Sequence, residues 1–354
     1  EMNKIGGQEI HLAALQDRKV WEESGRWSDE VVDNWFKTTI KNGSEVGLAF
    51  THEEVLTPLL KKFISSFRDL PLALYQIQTK FRDEPRARAG LIRAKEFIMK
   101  DLYSFHIDYE DLKSFYSQVA ETYKKIFSRL GLKVKMVEAS GGDFTKEYTH
   151  EFQVLTPQGE DKIIYCTQCD FAQNQEIAEA KEKDACHKCS YKGLKRENGI
   201  EVGNIFKLGT RFSEAAGLFY KDNGGKENLV VMGSYGIGPS RIVGALAEVS
   251  SDQNGLIWPK EVSPFDVHLV ELDGAGKQAF EVYEILKNAG LEVLYDDRQE
   301  ASSGEKLTDA DLIGIIWRIV VSQKTAAQNK VELKKRNESQ SRMINLKELP
   351  KYVK

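Results

Sequence analysis

The sequence contains few cysteines and no long apolar stretch, and both features limit the classes of protein to which it can belong. Four cysteines in 354 residues do not make a disulfide framework, and they fall in two Cys-x-x-Cys pairs that suit metal binding in a reducing compartment. No apolar run reaches the ~18 residues of a membrane span, and the first residues do not resemble a signal peptide. We therefore expect a cytoplasmic protein without a membrane segment.

Two further absences concern nucleotides and nucleic acids. No GxxxxGK[ST] segment occurs, which excludes the commonest phosphate loop for ATP. The net charge of -4 argues against indiscriminate coating of nucleic acid, but it leaves room for a local basic face. A hydrophobic content of 41% and a charged content of 29% are ordinary for a soluble globular chain, which at this length has room for two or three domains.

Residues 72–106 predict a long β-hairpin. The first arm, 72–82, and the second arm, 93–103, both alternate in polarity, and a polar tip at 83–90 holds Pro85 and Gly90 as turn residues. We interpret the polar alternates as a solvated face and the others as a packed face. In the first arm, the solvated set is Leu74, Gln76, Gln78, Lys80 and Arg82, and the packed set is Tyr75, Ile77, Thr79 and Phe81.

The hairpin presents Arg82, Glu84 and Arg93 from its polar side. Two arginines aimed at one place suit a polyphosphate, because a guanidinium forks onto phosphate oxygens with two parallel hydrogen bonds. A charged surface hairpin is the alternative that the pattern alone leaves open.

The residues of this hairpin resemble motif 2 of class II aminoacyl-tRNA synthetases, in the form that prolyl-tRNA synthetases carry. The matching segments are FRDE at 81–84 and EFIMKDLYSFH at 96–106, with Arg93 between them. The resemblance implies that Arg82 holds the α-phosphate of ATP, that Glu84 contacts the adenine edge and that Arg93 also contacts the nucleotide. It also implies that Met99 and Asp101 line the amino-acid pocket.

A second resemblance covers motif 3. GSYGIGPSR at 233–241 reads as a glycine-rich turn that opens a helix, and Arg241 then lies in the first helical turn, where a bound anion would explain a cation. The family implies that this anion is the γ-phosphate. The preceding segment EVGNIFKLGTR, 201–211, implies an ATP-contacting Glu201 and a pocket floor, although family members often have His where this chain has Asn204. The implied floor residues are Phe206, Gly209, Thr210 and Gly236.

Thr51-His52-Glu53-Glu54 allows two compatible interpretations. Thr51 as N-cap with Glu54 three residues later forms a capping box at the start of a helix. In prolyl-tRNA synthetases the matching Thr and Glu bind the substrate's amino group, which implies that role for Thr51 and Glu53. Likewise Thr149-His150-Glu151-Phe152 resembles a family segment whose Glu faces the proline amine, so Glu151 is a further proline-binding prediction.

The four cysteines predict a structural zinc site. Sixteen residues separate Cys166-x-x-Cys169 from Cys186-x-x-Cys189, and four thiolates at ~2.3 Å leave no open coordination position. His187, inside the second pair, is interpreted as a bystander. Only this ribbon-like segment lies between motifs 2 and 3, so we expect no large editing domain and no editing of mischarged alanine by this chain.

The two ends of the chain complete the resemblance. Residues 1–14 resemble the tail of motif 1, with an apolar strand over Ile10–Leu15, and imply a homodimer in the complete chain; an opening at Glu1 suggests that a preceding segment is missing. Asp108–Leu130 predicts a helix capped by Asp108. From Phe265 a βαβαβ order predicts a largely parallel sheet that resembles the anticodon-binding domain. Its candidate anticodon residues, which a solvated charged edge would explain nearly as well, are Asp297, Arg298, Glu332, Lys334 and Arg336.

These resemblances predict the fold class: an α+β class II catalytic domain with an antiparallel sheet, a zinc-ribbon-like insertion and a C-terminal α/β anticodon-binding domain. The predicted segments are 1–160 and 199–262 for the catalytic domain, 161–198 for the insertion and 263–354 for the anticodon domain. The implied reaction is ATP-dependent activation of L-proline, followed by transfer to tRNA(Pro). The carboxylate would attack the α-phosphorus in line, with charge stabilisation by Arg82, Arg93, Arg241 and Mg²⁺.

Two alternatives remain at this point. One is another class II synthetase, threonyl especially, which would hold a catalytic zinc in its amino-acid pocket. The other is a synthetase-like protein that binds nucleic acid or a partner without catalysis. The class I signatures HIGH and KMSKS do not occur.

Overall fold

A computed structural model describes residues 1–85, 87, 89–142 and 144–353. These residues form two compact units, Glu1–Ala245 and Leu246–Lys354. The division falls before residue 263, where the composition of the sequence changes. The predicted hairpin tip, 83–90, lies partly outside the described residues, since positions 86 and 88 are not among them.

The first unit is built on a nine-stranded sheet. Its elements in chain order are β1 (Gln8–Glu9), β2 (Leu15–Asp17), α1 (Arg18–Glu22), β3 (Lys37–Thr39), β4 (Glu45–Leu48), α2 (Glu53–Leu60), β5 (Leu72–Phe81), β6 (Glu96–His106), α3 (Tyr109–Arg129), β7 (Val134–Ala139), β8 (Thr149–Leu155), β9 (Asp161–Tyr165), β10 (Ala172–Asn174), β11 (Lys195–Gly209), α4 (Arg211–Ala216), β12 (Phe219–Lys221), β13 (Glu227–Leu229), β14 (Val231–Ile237) and α5 (Pro239–Val249). The strand order is β1-β5-β6-β14-β11-β8-β7-β10-β9, and only the β1–β5 and β7–β10 pairs are parallel. The predicted antiparallel sheet flanked by helices is thus confirmed.

The predicted hairpin is present as β5 and β6. Its register runs from the Leu72–Phe105 pair to the Phe81–Glu96 pair. The assignment of its faces is wrong, because Gln76, Gln78 and Lys80 are buried whereas Ile77 is 55% exposed. The polar side chains can be buried because they hydrogen-bond to one another and to neighbouring groups.

Helix α3 covers the face of the large sheet opposite to the face that carries Asp101 and Tyr103. Asp108 caps it as predicted, accepting a hydrogen bond from the Asp111 backbone N–H at 2.8 Å. Its buried side chains, among them Leu112, Val119 and Phe127, pack against β6, β11 and β14. This packing leaves the face that carries Asp101 and Tyr103 available for a site.

Two local predictions near the amino terminus are wrong. Residues 10–14 form no strand; β1 ends at Glu9 and β2 begins at Leu15. Thr51 does not cap α2, which begins at Glu53 with His52 as N-cap. The Thr51 hydroxyl donates instead to the Glu53 carboxylate, a charge-assisted hydrogen bond.

The motif 3 segment also differs from its prediction. Residues 233–237 are not a turn but part of β14, in the middle of the sheet, and α5 begins at Pro239. Glycine is required in this strand by close neighbours. A Cβ at Gly233 would lie 2.3 Å from the Tyr235 hydroxyl, and a Cβ at Gly236 would lie 2.8 Å from Asn204 Oδ1.

The second unit contains the predicted βαβαβ order. Its elements are β15 (Ser251–Asp252), β16 (Gly255–Leu256), β17 (Val267–Glu271), α6 (Gly276–Asn288), β18 (Val293–Asp296), α7 (Ser303–Ile313), β19 (Trp317–Val321), α8 (Gln323–Ala326), β20 (Lys330–Lys335), β21 (Arg342–Asn345) and α9 (Leu349–Val353). The sheet order is β18-β17-β19-β20-β21; the first three strands are parallel, and β20 and β21 are antiparallel additions.

Across the described residues, no helix combines the length and the apolar character that a membrane crossing requires.

Candidate active site

The floor of the site is a row of residues across five adjacent strands of the large sheet. Gln76 on β5 pairs with Asp101 on β6, Asp101 with Gly236 on β14, Gly236 with Asn204 on β11, and Asn204 with Glu151 on β8. Directly paired residues share one face of a sheet, so these side chains all point to the same side. Strand pairing thus gathers residues that lie far apart in the sequence.

A second row lies two residues further along the same face. Here Tyr103 pairs with Ser234, and Ser234 pairs with Phe206. Met99 lies on the other side of the first row, opposite Gln78. The structure therefore brings the predicted proline-pocket residues Met99, Asp101, Phe206 and Gly236 onto one surface.

Glu53 stands at the start of α2 beside this surface and is almost completely buried. The hydroxyl groups of Thr51 and Ser234 donate to its two carboxylate oxygens, the second at 2.8 Å. These bonds fix the orientation of the Glu53 carboxylate beside this surface, and a carboxylate is the group that receives a protonated amine. Ser234 was missed from the sequence.

Asp101 is the centre of a second buried polar cluster. Its Oδ2 atom accepts hydrogen bonds from Gln76 Nε2 at 2.9 Å, from the Tyr103 hydroxyl at 2.9 Å and from Lys80 Nζ at 3.0 Å. Lys80 Nζ also lies 2.8 Å from His52 Nδ1. Lys80, His52 and Tyr103 were not identified from the sequence. The polar alternation of β5 carried the signal for Lys80, but it was read as solvent exposure.

His52 is neutral in this arrangement. Burial, followed by the charge of Lys80, lowers the pKa of His52 to about 4. Nδ1 then accepts from Lys80, and Nε2 donates to the Ala13 carbonyl oxygen at 3.1 Å. Burial also lowers the pKa of Lys80, and the charge of Asp101 opposes that shift.

A cleft with about 540 Å³ of space adjoins these clusters, part of it open to solvent. Arg82 lies on its wall with the guanidinium carbon 4.6 Å from the Phe50 ring centre and 5.5 Å from that of Phe97. Its Nε atom is buried and has no hydrogen-bond partner among the described residues. Burial, and then the charge of Arg241, lower the pKa of Arg82. A half-buried guanidinium whose Nε atom lacks an acceptor is suited to bind an anion.

The remaining predicted ATP residues line the same cleft. Arg241, in the first turn of α5, pairs with Glu201 at 2.9 Å and donates to the Ile92 carbonyl oxygen at 2.9 Å. Glu201 in turn accepts from Asn204 at 2.8 Å. Arg93 pairs with Glu160 at 2.9 Å and with Glu84 at 3.3 Å. The full lining is Arg82, Glu84, Leu91, Ile92, Arg93, Ala94, Phe97, Met99, Glu201, Val202, Gly203, Asn204, Gly236, Gly238 and Arg241.

Glu151 lies at the far end of the first row, beside the predicted ATP residue Glu201 rather than beside Glu53. Gln153 Nε2 donates both to Glu151 at 2.8 Å and to Asp161 at 2.7 Å. Burial, followed by the charge of Glu201, raises the pKa of Glu151 to about 8. Two strands separate Glu151 from Asp101 along the row, so the structure does not bring Glu151 into the Asp101 cluster.

The four cysteines form a compact group at the edge of the same unit. Cys166 and Cys189 have their sulfurs 3.6 Å apart, as have Cys169 and Cys186, and all four sulfurs lie within 4.8 Å of one another. A zinc ion ~2.3 Å from four sulfurs would hold them ~3.8 Å apart, so the donor set fits a tetrahedral zinc. No ion pair or bond links His187 to this group in the described residues; its ring packs 4.4 Å from Phe171.

The predicted anticodon residues have different surroundings within the second unit. Asp297 is exposed, and Glu332 and Lys334 are half-buried on β20. Arg298 pairs with Asp296 and Asp309, each at 2.8 Å. Arg336 is buried and donates through two nitrogens to Asp252 at 2.7 and 2.9 Å, which favours a structural contribution by this side chain.

A groove in the second unit was not identified from the sequence. It has about 890 Å³ of space and combines three aromatic residues, Trp258, Trp317 and Tyr352, with the basic residues Lys260 and Lys335. Lys335 Nζ lies 5.7 Å from the Trp317 ring centre. Aromatic faces beside cations suit unstacked nucleic-acid bases.

Two family models match the chain. The model described as the class II tRNA synthetase core domain (G, H, P, S and T) matches residues 36–250. The model described as an anticodon binding domain matches residues 265–354.

Similar proteins agree with these matches. The chain is 38% identical to a proline–tRNA ligase of Bartonella bacilliformis over 95% of this chain and 82% of the relative, and 38% identical to one of Wolbachia pipientis over 98% and 84%. It is 31% identical to a proline–tRNA ligase of Thermodesulfovibrio yellowstonii over 98% of this chain and 87% of the relative. That alignment spans 500 positions, so about 150 positions of this relative have no counterpart here.

Among solved structures, the chain resembles the Giardia lamblia prolyl-tRNA synthetase in complex with prolyl-adenylate. The TM-score is 0.79 at 21% identity, over 99% of this chain and 67% of that one. It also resembles the Cryptosporidium parvum enzyme complexed with L-proline and AMP, with a TM-score of 0.77 at 20% identity, over 99% and 65%. At these identities the likeness supports the fold.

Proposed function

The chain belongs to the prolyl-tRNA synthetase family of class II aminoacyl-tRNA synthetases, and from that membership we propose that it activates L-proline with ATP and transfers the product to tRNA(Pro). The observation that carries the proposal is the shared surface of the large sheet, where the Glu53 cluster adjoins a cleft lined by three arginines. One side suits an amino acid and the other a polyphosphate.

We propose that the amino-acid side is formed by Thr51, Glu53, Met99, Asp101, Phe206 and Gly236. Glu53 and Asp101 supply carboxylate oxygens for the amine of proline. Met99 and Phe206 supply apolar surface for its ring. Glu151 also contributes to proline binding, from the end of the pocket where it lies beside Glu201 of the nucleotide side.

The nucleotide side consists of Arg82, Glu84, Arg93, Glu201 and Arg241. Arg82, which lies beside two aromatic rings, holds the phosphate that the proline carboxylate attacks, so catalysis rests on positioning and on charge stabilisation. Carboxylate oxygens such as those of Glu201 are donors that Mg²⁺ prefers, and Mg²⁺ bound with the nucleotide would neutralise phosphate charge.

The four-cysteine group holds a structural zinc in this proposal. Four thiolates fill a tetrahedral site and leave no position for a substrate. A threonyl enzyme would need its zinc in the amino-acid pocket. Among the described residues, the four cysteines are the metal-ligating side chains that lie close enough together to hold an ion. This favours proline over threonine as the substrate.

The second unit binds the anticodon of tRNA in this proposal, and Asp297, Arg298, Glu332, Lys334 and Arg336 are its predicted contacts. The catalytic segments are 1–160 and 199–262, the ribbon is 161–198 and the anticodon domain is 263–354. The chain acts in the cytoplasm. Without a large domain between motifs 2 and 3, it does not edit alanyl-tRNA itself.

We also propose a homodimer. Ile77 and Ile98 lie on the outer face of the β5–β6 hairpin, 55% and 45% exposed, beside a groove that residues 11–14 complete. An apolar strand face of this kind suits a second copy. Light scattering after size exclusion would give the mass of two chains; a single-chain mass at micromolar concentration would contradict this proposal.

Proline-dependent ATP–pyrophosphate exchange tests the activity, with alanine, threonine and cysteine as comparisons. We expect exchange with proline far above the others. Stronger exchange with threonine would favour the threonyl alternative, and no exchange with any amino acid would favour a binding protein.

A further inference from the structure

Lys80 is a buried cation in the amino-acid pocket whose role the motifs do not explain. Its side chain is fully buried on the site face of β5. Nζ lies 3.0 Å from both oxygens of Asp101, 2.8 Å from His52 Nδ1 and 3.3 Å from Gln78 Oε1. The ammonium is therefore committed to this cluster.

Burying an ammonium group costs more free energy than burying an apolar side chain of similar size. Its desolvation must be offset by an ion pair and hydrogen bonds, and well-packed apolar residues often replace such a pair without loss of stability. Stability alone is therefore a weak reason for Lys80 to stand at this position. Its contacts indicate that Lys80 orients the carboxylate of Asp101.

The two oxygens of Asp101 are used unequally. Oδ2 accepts three hydrogen bonds, from Gln76, Lys80 and Tyr103. Oδ1 is buried and accepts no hydrogen bond of good geometry from the described residues, and its contact is the Lys80 ammonium, whose Nζ lies 3.0 Å away. A carboxylate oxygen can accept two hydrogen bonds, so Oδ1 keeps the capacity to accept one from a bound substrate N–H.

We propose that Lys80 is a positioning residue for the amine of proline: its ammonium contacts both oxygens of Asp101 and fixes the carboxylate in an orientation in which Oδ1 accepts one N–H of the substrate. This inference rests on the proposed function. The protonated secondary amine of proline has two N–H donors, and Glu53 and Asp101 provide two acceptors. The carboxylates of Glu53 and Asp101 and the ammonium of Lys80 together leave one negative charge. This charge matches the single positive charge of the proline amine.

Binding measurements with and without the amine test this role. Tetrahydrofuran-2-carboxylate keeps the ring and the carboxylate of proline but has an oxygen in place of the amine. In Lys80→Met, we expect titration calorimetry to show proline affinity reduced about tenfold and affinity for the oxygen analogue within about twofold of wild type. Asp101→Asn should change the two affinities in the same unequal way.

Lys100→Met is the matched control. Lys100 is also a buried lysine of the hairpin, but it faces α3, where it donates to the Tyr123 hydroxyl and to the Tyr235 carbonyl oxygen at 2.9 Å. Its replacement should lower the melting temperature without changing the ratio of the two affinities.

The outcomes separate this inference from the proposed function. Equal losses of proline and analogue affinity in Lys80→Met, or no loss of either, would overturn the positioning role. If Lys80→Met does not fold, Lys80→Gln, which keeps an amide donor, carries the same comparison with the same criteria. A wild-type chain that binds no proline would overturn the proposed function itself.

Discussion

Individual residues in the cleft are held in states that a bound ligand would relieve. Arg82 lies near the rings of Phe50 and Phe97, and its buried Nε atom has no partner among the described residues. Cation–π contacts compensate only part of the desolvation of a guanidinium. Phosphate oxygens would supply the missing acceptors, so binding of an anion at this position is favourable.

Replacing this guanidinium tests its catalytic role. In Arg82→Ala we expect the rate of proline-dependent pyrophosphate exchange to fall by on the order of a hundredfold, since losing one preorganised donor costs about 3 kcal/mol in the transition state. Lys95→Ala is the control, because Lys95 forms an exposed ion pair with Asp83 in the same hairpin. An Arg82→Ala rate within about threefold of wild type would contradict the assignment.

Glu151 predicts a dependence of stability on pH. Burial and the charge of Glu201 raise its pKa to about 8, above the value of an unfolded glutamate. The folded state therefore binds an extra proton between about pH 4.5 and 8. The contribution of Glu151 to stability is full below the lower value and is lost as the pH rises through the upper one.

Urea unfolding of Glu151→Gln at several pH values measures this dependence. The variant keeps an acceptor for Gln153 but cannot ionise, so its free energy of unfolding relative to wild type should increase from pH 5 to pH 8.5. Glu147→Gln, at a more exposed position, should show no such trend. A difference between Glu151→Gln and wild type that stays constant with pH would contradict the prediction.

At the scale of single elements, local patterns predicted what depends on neighbours in sequence. The helix capped by Asp108 and the hairpin of residues 72–106 are present because side-chain periodicity and capping act over a few residues. The exposure of β5 could not be predicted this way, since Lys80 is buried by Asp101 and His52, which lie 21 and 28 positions away.

The same limit applies to the site. Motif resemblance predicted Arg82, Glu53 and Asp101 as site residues, and these three lie on or beside one surface of the large sheet. It did not identify Ser234, because its bond to Glu53 joins residues 181 positions apart. The capping interpretation of Thr51 is wrong because α2 begins at Glu53 with His52 as N-cap, and the Thr51 hydroxyl donates to the Glu53 carboxylate.

The cysteine group is an element whose fold we expect to depend on metal. Metal analysis should find about one zinc per chain, and Cys189→Ser should lose it and lower the melting temperature, because the ribbon has only a small core of its own. Pyrophosphate exchange by the variant should persist, since the ribbon cysteines do not line the cleft.

His187→Ala is the control for this prediction. Its imidazole packs on Phe171 rather than joining the sulfur group, so the variant should retain zinc. Loss of zinc from His187→Ala at the level of Cys189→Ser would show that the histidine is a ligand.

At the scale of the whole molecule, the two compact units suggest a division of the reaction. In the proposed function, amino-acid activation uses the cleft of the first unit and tRNA is recognised by the second unit, whose groove combines Trp258, Trp317 and Tyr352 with lysines. Substitutions in the groove should therefore separate the two half-reactions. Arg336 is a poor choice for this experiment, because its pairing with Asp252 stabilises the second unit.

Trp317→Ala is the informative change. Loss of one stacking platform costs about 1–3 kcal/mol per base, so we expect the KM for tRNA in aminoacylation to rise about tenfold or more. Exchange of pyrophosphate, which needs no tRNA, should stay at the wild-type rate. Phe280→Ala, at an exposed aromatic position on α6 of the same unit, should leave both activities unchanged. If Trp317→Ala lowered exchange and aminoacylation together, the two units would not divide the reaction as proposed; if it changed neither, the groove would not be the tRNA surface.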